Sequence, residues 1–301
     1  MGACLSPLII SDHRYSHGEL KVRCMKCPAC KERTLREWIF RLCKEDERST
    51  AAHFVTLTYN NHHLPRSPNG FKTLVRRDFT LFMKRLRRQT GIKPIYQGKG
   101  KDKRLIQPGI KYFATGEYGS KFKRPHYHAI IFNQPLKKAY GRAWAFYDKT
   151  IKAQNPIGET FIGSVTDSSI AYVCKYLDKP NTVGKFKNDD RVKEFRVMSQ
   201  HLGDNFLTER MKQFYRKNLD KLYIVKDGYK YPMPKYYRDQ IFTDLEKDQQ
   251  LTYIVQAAME KQVADQKYAE KIGKSYTQYV EERKAHIRSV FYRNTKPRGE
   301  G

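Results

Sequence analysis

Apolar residues recur at two periods along the chain, and each period predicts a type of element. Leu35, Trp38, Ile39 and Leu42 repeat at helical spacing, so residues 31–47 read as an amphipathic helix with Cys43 on its core side. Phe79, Phe82, Met83 and Leu86 follow the i, i+3, i+4, i+7 pattern, which predicts a helix over 78–90 with Asp78 as its N-cap. The other face of that helix carries Lys84, Arg85, Arg87 and Arg88. Between the two, His53 to Tyr59 alternates apolar and hydroxyl side chains, the period of a half-buried strand. Strands are also expected near 110–115, 127–132 and 160–165, and a helix from Asp167 to Lys179. Residues 1–30 read as irregular, and Gly98–Arg104 as a mobile basic loop. The stretch 185–240 is mixed and Tyr-rich. Residues 241–292 are charged and helical, with Leu245, Ile254, Ala258 and Val263 as a sparse apolar stripe, and Thr295–Gly301 is expected to be disordered. Strands and helices mix without strict alternation, so the fold class is α+β with an antiparallel sheet. Three segments are expected: a Cys-rich segment and helix over 1–50, a core domain over 51–240, and a charged helical extension over 241–301.

Charge narrows the partners. The 301 residues include 59 Lys+Arg against 31 Asp+Glu, a net +28, which selects a polyanion. No apolar run reaches the ~20 residues of a spanning helix, and Met1–Pro7 lacks a basic-then-apolar signal pattern. The expected partner is therefore nucleic acid, with no membrane, in the cytosol. Aromatics make up 13% of the chain and include 21 Tyr, a composition suited to stacking on unpaired bases as well as to filling half-buried surface. In that compartment the six cysteines argue for a metal site or inert thiols and against disulfides.

Candidate chemistry concentrates in two places. In Arg124-Pro-His-Tyr-His128, strand geometry turns His126 and His128 to one side and Tyr127 to the other. Glu117, in Gly116-Glu-Tyr-Gly119, comes beside them if the chain makes a hairpin through Gly119–Pro125. Two imidazoles and one carboxylate suit Mn²⁺ or Mg²⁺, without excluding zinc. On the 167–179 helix, Ile170, Val173, Cys174 and Leu177 form a core stripe. Tyr172, Lys175, Tyr176 and Lys179 form the opposite one. A lysine beside a phenol favours the phenolate and pairs with a phosphate, and a phenolate can attack phosphorus. Cys24, Cys27 and Cys30 supply three thiols toward a four-ligand structural zinc. Cys4 is the natural fourth, with His13 or His17 as substitutes.

Together these stretches resemble the HUH endonuclease superfamily, and within it the replication initiation proteins of microviruses of the gokushovirus type. The resemblance rests on Phe54-Val-Thr-Leu-Thr-Tyr59 with His63-Leu-Pro65, on the Glu117 and His126/His128 stretches, and on Tyr172-Val-Cys-Lys-Tyr176-Leu-Asp-Lys179. The Cys24-x-x-Cys27-x-x-Cys30 run ahead of a Trp-bearing helix adds to it. It spans roughly 1–180, and Met198-Ser199 and Tyr231–Tyr237 extend it weakly to about 240. It implies a five-stranded antiparallel sheet flanked by helices, with the His strand central. It also implies a nick in single-stranded DNA at a replication origin, a 5′-phosphotyrosine, and a free 3′-OH that primes rolling-circle synthesis. Tyr172 and Tyr176 would alternate as nucleophiles, Lys175 and Lys179 would assist at the phosphate, and Thr56, Thr58, Tyr59 and Arg124 would contact DNA.

Rival readings make different demands. A metal-dependent nuclease using activated water would use the tyrosines only for binding and form no covalent adduct. A basic single-strand-binding or packaging protein would keep its affinity without His126 and His128. A transposase or relaxase of the same superfamily is a further option. No Gly-x-x-x-x-Gly-Lys-Ser/Thr phosphate loop occurs, so a host helicase is expected as partner, with a host polymerase, in the bacterial cytoplasm.

Overall fold

A computed structural model of the chain describes residues 4–11, 19–98, 104–175, 183 and 187–295. His13, His17, Tyr176, Leu177, Lys179, residues 99–103 of the expected basic loop and the tail after Thr295 lie outside the described residues, as does the Lys175 side chain. The chain divides into two compact units, Met1–Trp38 with Phe206–Gly301, and Ile39–Asn205.

In chain order the first unit opens with a hairpin, β1 (Leu8–Ser11) and β2 (Glu19–Val22), where an irregular segment was expected. The strands are only four residues long, and β1 is exposed along its whole length, so no alternation marks it in the sequence. Helix α1 (Pro28–Arg48) begins in this unit with a proline at its first position, where the missing N–H costs nothing.

The second unit is built on one sheet. Its strands are β3 (Ala52–Thr58), β6 (Lys111–Tyr118), β7 (Pro125–Phe132), β10 (Thr160–Ser164) and β11 (Phe195–Met198). They pair antiparallel in the order β10-β3-β7-β6-β11, which puts the His strand at the centre as expected. Between them come α2 (Arg76–Thr90), the hairpin β4 (Ile95–Gln97) and β5 (Arg104–Gln107), α3 (Lys138–Ala143), and the hairpin β8 (Ala145–Asp148) and β9 (Ala153–Pro156). Helix α4 (Asp167–Lys175) follows β10.

Period 2 decides which side chains go where. Val55, Leu57, Tyr127, Ala129 and Ile131 point to one face and share a core with Phe79, Phe82, Met83 and Leu86 of α2, and Tyr140 of α3. Each of those four α2 side chains contributes roughly 1.5–3 kcal/mol on full burial. The other face carries Phe54, Thr56, His126, His128, Thr115 and Glu117. There α4 packs against β7 with Ile170, Val173 and Cys174 buried. Cys43 of α1 also lies on this side and donates to Asp167 of α4 (Sγ to Oδ1, 3.6 Å).

Two expectations need correction here. Asp78 does not cap α2: the N-cap is Val75, which makes no side-chain cap bond, and Asp78 sits inside the first turn. There its carboxylate meets the positive end of the helix and accepts the Tyr59 hydroxyl at 2.7 Å. The fifth strand, β11, was not foreseen, because four residues are too few for a period to show.

After Phe206 the first unit continues with α5 (Glu209–Lys217), the hairpin β12 (Tyr223–Lys226) and β13 (Tyr229–Pro232), and α6 (Lys235–Ile241). The charged extension folds as two helices, α7 (Asp244–Lys271) and α8 (Tyr276–Thr295). A Thr243/Glu246 capping box starts α7, and Gly273 at φ 70° lies between the two. Leu245, Ile254 and Val263 of the expected apolar stripe are exposed. No helix among the described residues is long and apolar enough to cross a membrane.

Candidate active site

The β6–β7 hairpin builds the site by register. Glu117 pairs with His126 and Thr115 with His128, so all project from one face at neighbouring positions. The strand runs to Tyr118, further than the alternation suggested, so Glu117 is a strand residue and not part of the turn. The turn is closed by the Gly119 N–H donating to the Arg124 carbonyl at 3.0 Å. On the other flank β3 pairs Thr56 with His128 and Thr58 with His126.

The three side chains expected to bind metal converge. Nε2 of His126 and Nε2 of His128 each stand 2.9 Å from the same Glu117 oxygen, Oε1. The far side of each ring is held as well. His126 Nδ1 lies 3.1 Å from the Arg124 carbonyl, which can only accept, so Nδ1 carries a proton, and in the neutral ring Nε2 keeps its lone pair. His128 Nδ1 lies 2.9 Å from Thr56 Oγ1, a hydroxyl able to take the same proton. In the neutral rings two lone pairs and a carboxylate point at one another, an arrangement resolved either by protons on the two Nε2 atoms, which then donate to Glu117, or by a metal cation.

Donor spacing agrees with the metal reading. Ligands at right angles around a metal with bonds of ~2.1 Å stand about 3 Å apart; the two Glu117–imidazole separations are 2.9 Å, and all three donor atoms lie within 4.8 Å of one another. Burial alone would push the Glu117 carboxyl up, but hydrogen bonds from His126 and His128 and their charge outweigh it. The net effect holds it well below the usual carboxylate range. Glu117 is therefore an anion in a largely buried position, 4% exposed.

Tyr172 reaches the same place from α4. Its ring meets His128 edge-on at 5.4 Å and Phe54 at 6.0 Å, while Phe54 stacks on His128 at 5.5 Å. At 44% exposed, the tyrosine is open to solvent on one side while its ring is braced on the other. Cys174 is fully buried, and burial pushes its thiol up, so it packs as expected and is no nucleophile. Phe54 was missed by sequence reasoning, although its position gave a signal: it is the aromatic on the Thr56/Thr58 side of β3.

The expected DNA contacts fare unevenly. Tyr59 is a correction. It is 4% exposed, donates to Asp78 and shares a 2.7 Å hydrogen bond with Tyr127, so its side chain belongs to the core. The reason is parity: Tyr59 continues the Val55–Leu57 face. Thr56 is engaged with His128. Thr58 and Arg124 are half-buried. Arg124 donates to the Tyr59 carbonyl at 2.8 Å and to Asn61 Oδ1 at 2.7 Å, and so braces the turn against the exit of β3. In the other unit Cys4, Cys24, Cys27 and Cys30 gather, with all four sulfurs within 4.8 Å of one another.

Comparison with known proteins places this geometry in context. Residues 52–181 match the family model of the replication-associated protein ORF2/G2P. The chain is 27% identical to the replication-associated protein ORF2 of Spiroplasma virus 4, over 98% of both chains. It is 30% identical to the replication-associated protein VP4 of Bdellovibrio phage phiMH2K, over 72% of this chain and 66% of that one. With the replication-associated protein ORF4 of Chlamydia phage 1 it shares 26% identity, over 75% of this chain and 55% of that one. No solved structure matches the chain.

Proposed function

The chain belongs to the replication-associated proteins of the microviruses, and on that premise we propose that it starts rolling-circle replication by nicking single-stranded origin DNA with a tyrosine. The observation that carries the proposal is the placement of Tyr172 against His128, one member of a three-ligand cluster. The net charge of +28 supplies the attraction to the DNA backbone.

Glu117, His126 and His128 are the residues that would hold Mg²⁺ or Mn²⁺. Such an ion would polarise the scissile phosphate and offset charge gathering on its oxygens. The remaining chemistry belongs to the protein. The Tyr172 oxygen, having lost its proton, attacks phosphorus. The P–O3′ bond breaks, the 3′ oxygen leaves and takes up a proton, and the 5′-phosphate stays on the phenol. Phe54 and His128 fix the plane of the ring, so few orientations remain to be lost on the way to attack. Thr56 and the Arg124 carbonyl hold the two imidazoles with Nε2 forward. Thr58 and Arg124 at the rim are the proposed DNA contacts.

Tyr176, four residues on in the sequence, is the proposed second nucleophile. It cuts the regenerated origin while the first phenol still holds the old end, and the released strand is then joined into a circle. Lys175 and Lys179 are proposed to pair with the phosphate and to protonate the leaving oxygen. The free 3′-OH goes to a host polymerase behind a host helicase, in the bacterial cytoplasm where the phage DNA lies.

The test uses origin DNA labelled at its 3′ end, with Mn²⁺, followed by a denaturing protein gel. A label that stays with the protein, needs metal, survives Tyr172→Phe or Tyr176→Phe and disappears in the double variant supports the proposal. Cleavage with no label on the protein points instead to activated water, and binding without cleavage to a packaging role.

A further inference from the structure

Four sulfurs come together far along the chain from the histidines, and we propose that Cys4, Cys24, Cys27 and Cys30 hold one structural Zn²⁺. The inference does not depend on the nicking chemistry. Topology makes the cluster. The outermost register pair of the β1–β2 hairpin is Leu8 with Val22, so the chain entering β1 and the chain leaving β2 run out side by side. Cys4 lies on the first of these and Cys24 on the second. Cys27 directly precedes α1, and its carbonyl accepts the Lys31 N–H at 3.0 Å. Cys30 is in the first turn and 1% exposed.

The spacing is that of a metal cage. Cys4 Sγ and Cys27 Sγ are 3.9 Å apart, and Cys24 Sγ and Cys30 Sγ are 4.0 Å apart. Four thiolates around zinc at ~2.3 Å in tetrahedral array stand about 3.8 Å from one another. A disulfide would need ~2.05 Å, and all four cysteines are free.

Backbone donors face the sulfurs. The Leu5 N–H donates to Cys27 Sγ at 3.4 Å, the Cys24 N–H to Cys4 Sγ at 3.4 Å, and the Cys27 N–H to Cys24 Sγ at 3.3 Å. Such donors suit sulfurs that carry negative charge, as metal-bound thiolates do. Met25, at φ 59°, adopts the left-handed conformation that a side chain disfavours, within the bend that carries Cys27 back to Cys24.

Leu5 beside Cys4 is buried, at 7% exposed, but the strand beyond it is not. Leu8, Ile9 and Ile10 of β1 are 54%, 59% and 40% exposed, so the strand that follows Cys4 has little core of its own. A small segment of that kind gains its fold from a bound metal, with the thiol protons released to solvent as the Zn–S bonds form. An all-sulfur tetrahedral set selects zinc over the harder ions suited to Glu117, His126 and His128.

The experiment is metal analysis of the full chain after removal of loosely held ions. One zinc per chain is expected, retained in His126→Ala/His128→Ala and lost in Cys27→Ser/Cys30→Ser. Absence of zinc, iron in its place, or zinc that leaves with the histidines and stays without the cysteines overturns the proposal. Cobalt exchange into the unmutated chain decides the case if the cysteine variant does not fold. Intense tetrahedral bands with thiolate-to-cobalt charge transfer are expected, and a weak octahedral spectrum refutes the site.

Discussion

Replacing Thr56 by valine removes one oxygen and keeps the shape of the side chain. That oxygen lies 2.9 Å from His128 Nδ1, on the side of the ring away from Glu117. His128 is 8% exposed, so water cannot readily take the place of the hydroxyl. Losing the partner of a buried polar atom costs about 1–3 kcal/mol, or roughly 5- to 150-fold in an equilibrium constant. The cost falls on the ring fixed with Nε2 forward, which is the geometry that metal binding requires. Outer partners of ligating histidines change metal affinity by ~10- to 100-fold, and the two ranges overlap. Thr56→Val should therefore weaken Mn²⁺ binding by that factor in calorimetry. It should raise the Mn²⁺ needed for half-maximal adduct formation equally, while excess Mn²⁺ restores the full rate. Thr58→Val is the control, because its hydroxyl reaches only the Glu159 carbonyl at 3.5 Å among its described bonds, and its metal affinity should not change. Wild-type half-saturation in Thr56→Val would refute the reasoning, as would a rate that excess Mn²⁺ fails to restore.

Other consequences are as direct. Tyr59→Phe deletes a buried hydroxyl bonded to Asp78 and Tyr127, so urea denaturation should show a loss of about 1–3 kcal/mol. Its affinity for single-stranded DNA should stay unchanged, and a loss of binding in a stably folded variant would return Tyr59 to the DNA surface. Gly158→Ala places a Cβ 2.0 Å from the Thr58 carbonyl oxygen, which is backbone at the end of β3. Overpacking there should cost roughly 1–3 kcal/mol in the same assay, and wild-type stability would show that the approach is looser than described. His126→Ala should abolish metal-dependent cleavage yet keep salt-sensitive binding to single-stranded DNA, because charge supplies that binding. Parallel loss of both in a filter-binding titration would tie the histidine to DNA instead of metal.

Much of this was legible because it followed from period. The alternation His53–Tyr59 and the His-x-His strand fixed two central strands and the face on which His126 and His128 lie. The 3.6-residue pattern of Phe79, Phe82, Met83 and Leu86 placed α2. Parity also exposed the one misreading at the site: Tyr59 was assigned with its motif, whereas its position on the Val55–Leu57 face decided its burial. Short elements escaped for the opposite reason. β1, β2 and β11 span four residues each, with too little alternation to stand out. Asp78 looked like a cap because aspartate often is one, but its partner, the Tyr59 hydroxyl, comes from 19 residues away, where local rules do not reach. The role of Phe54, wedged by Tyr172 and His128, likewise needed two elements to be brought together before it could be seen.

The most direct test of a tyrosine nucleophile is to find the bond. The chain would be trapped on origin DNA with Mn²⁺ and digested with nuclease and then trypsin, and the nucleotide-bearing peptide sequenced by mass spectrometry. The 5′-phosphate is predicted on the phenol of Tyr172 or Tyr176. Cleaved DNA ending in a free 5′-phosphate, with neither tyrosine modified, or a phosphate found on any other residue, would contradict the account.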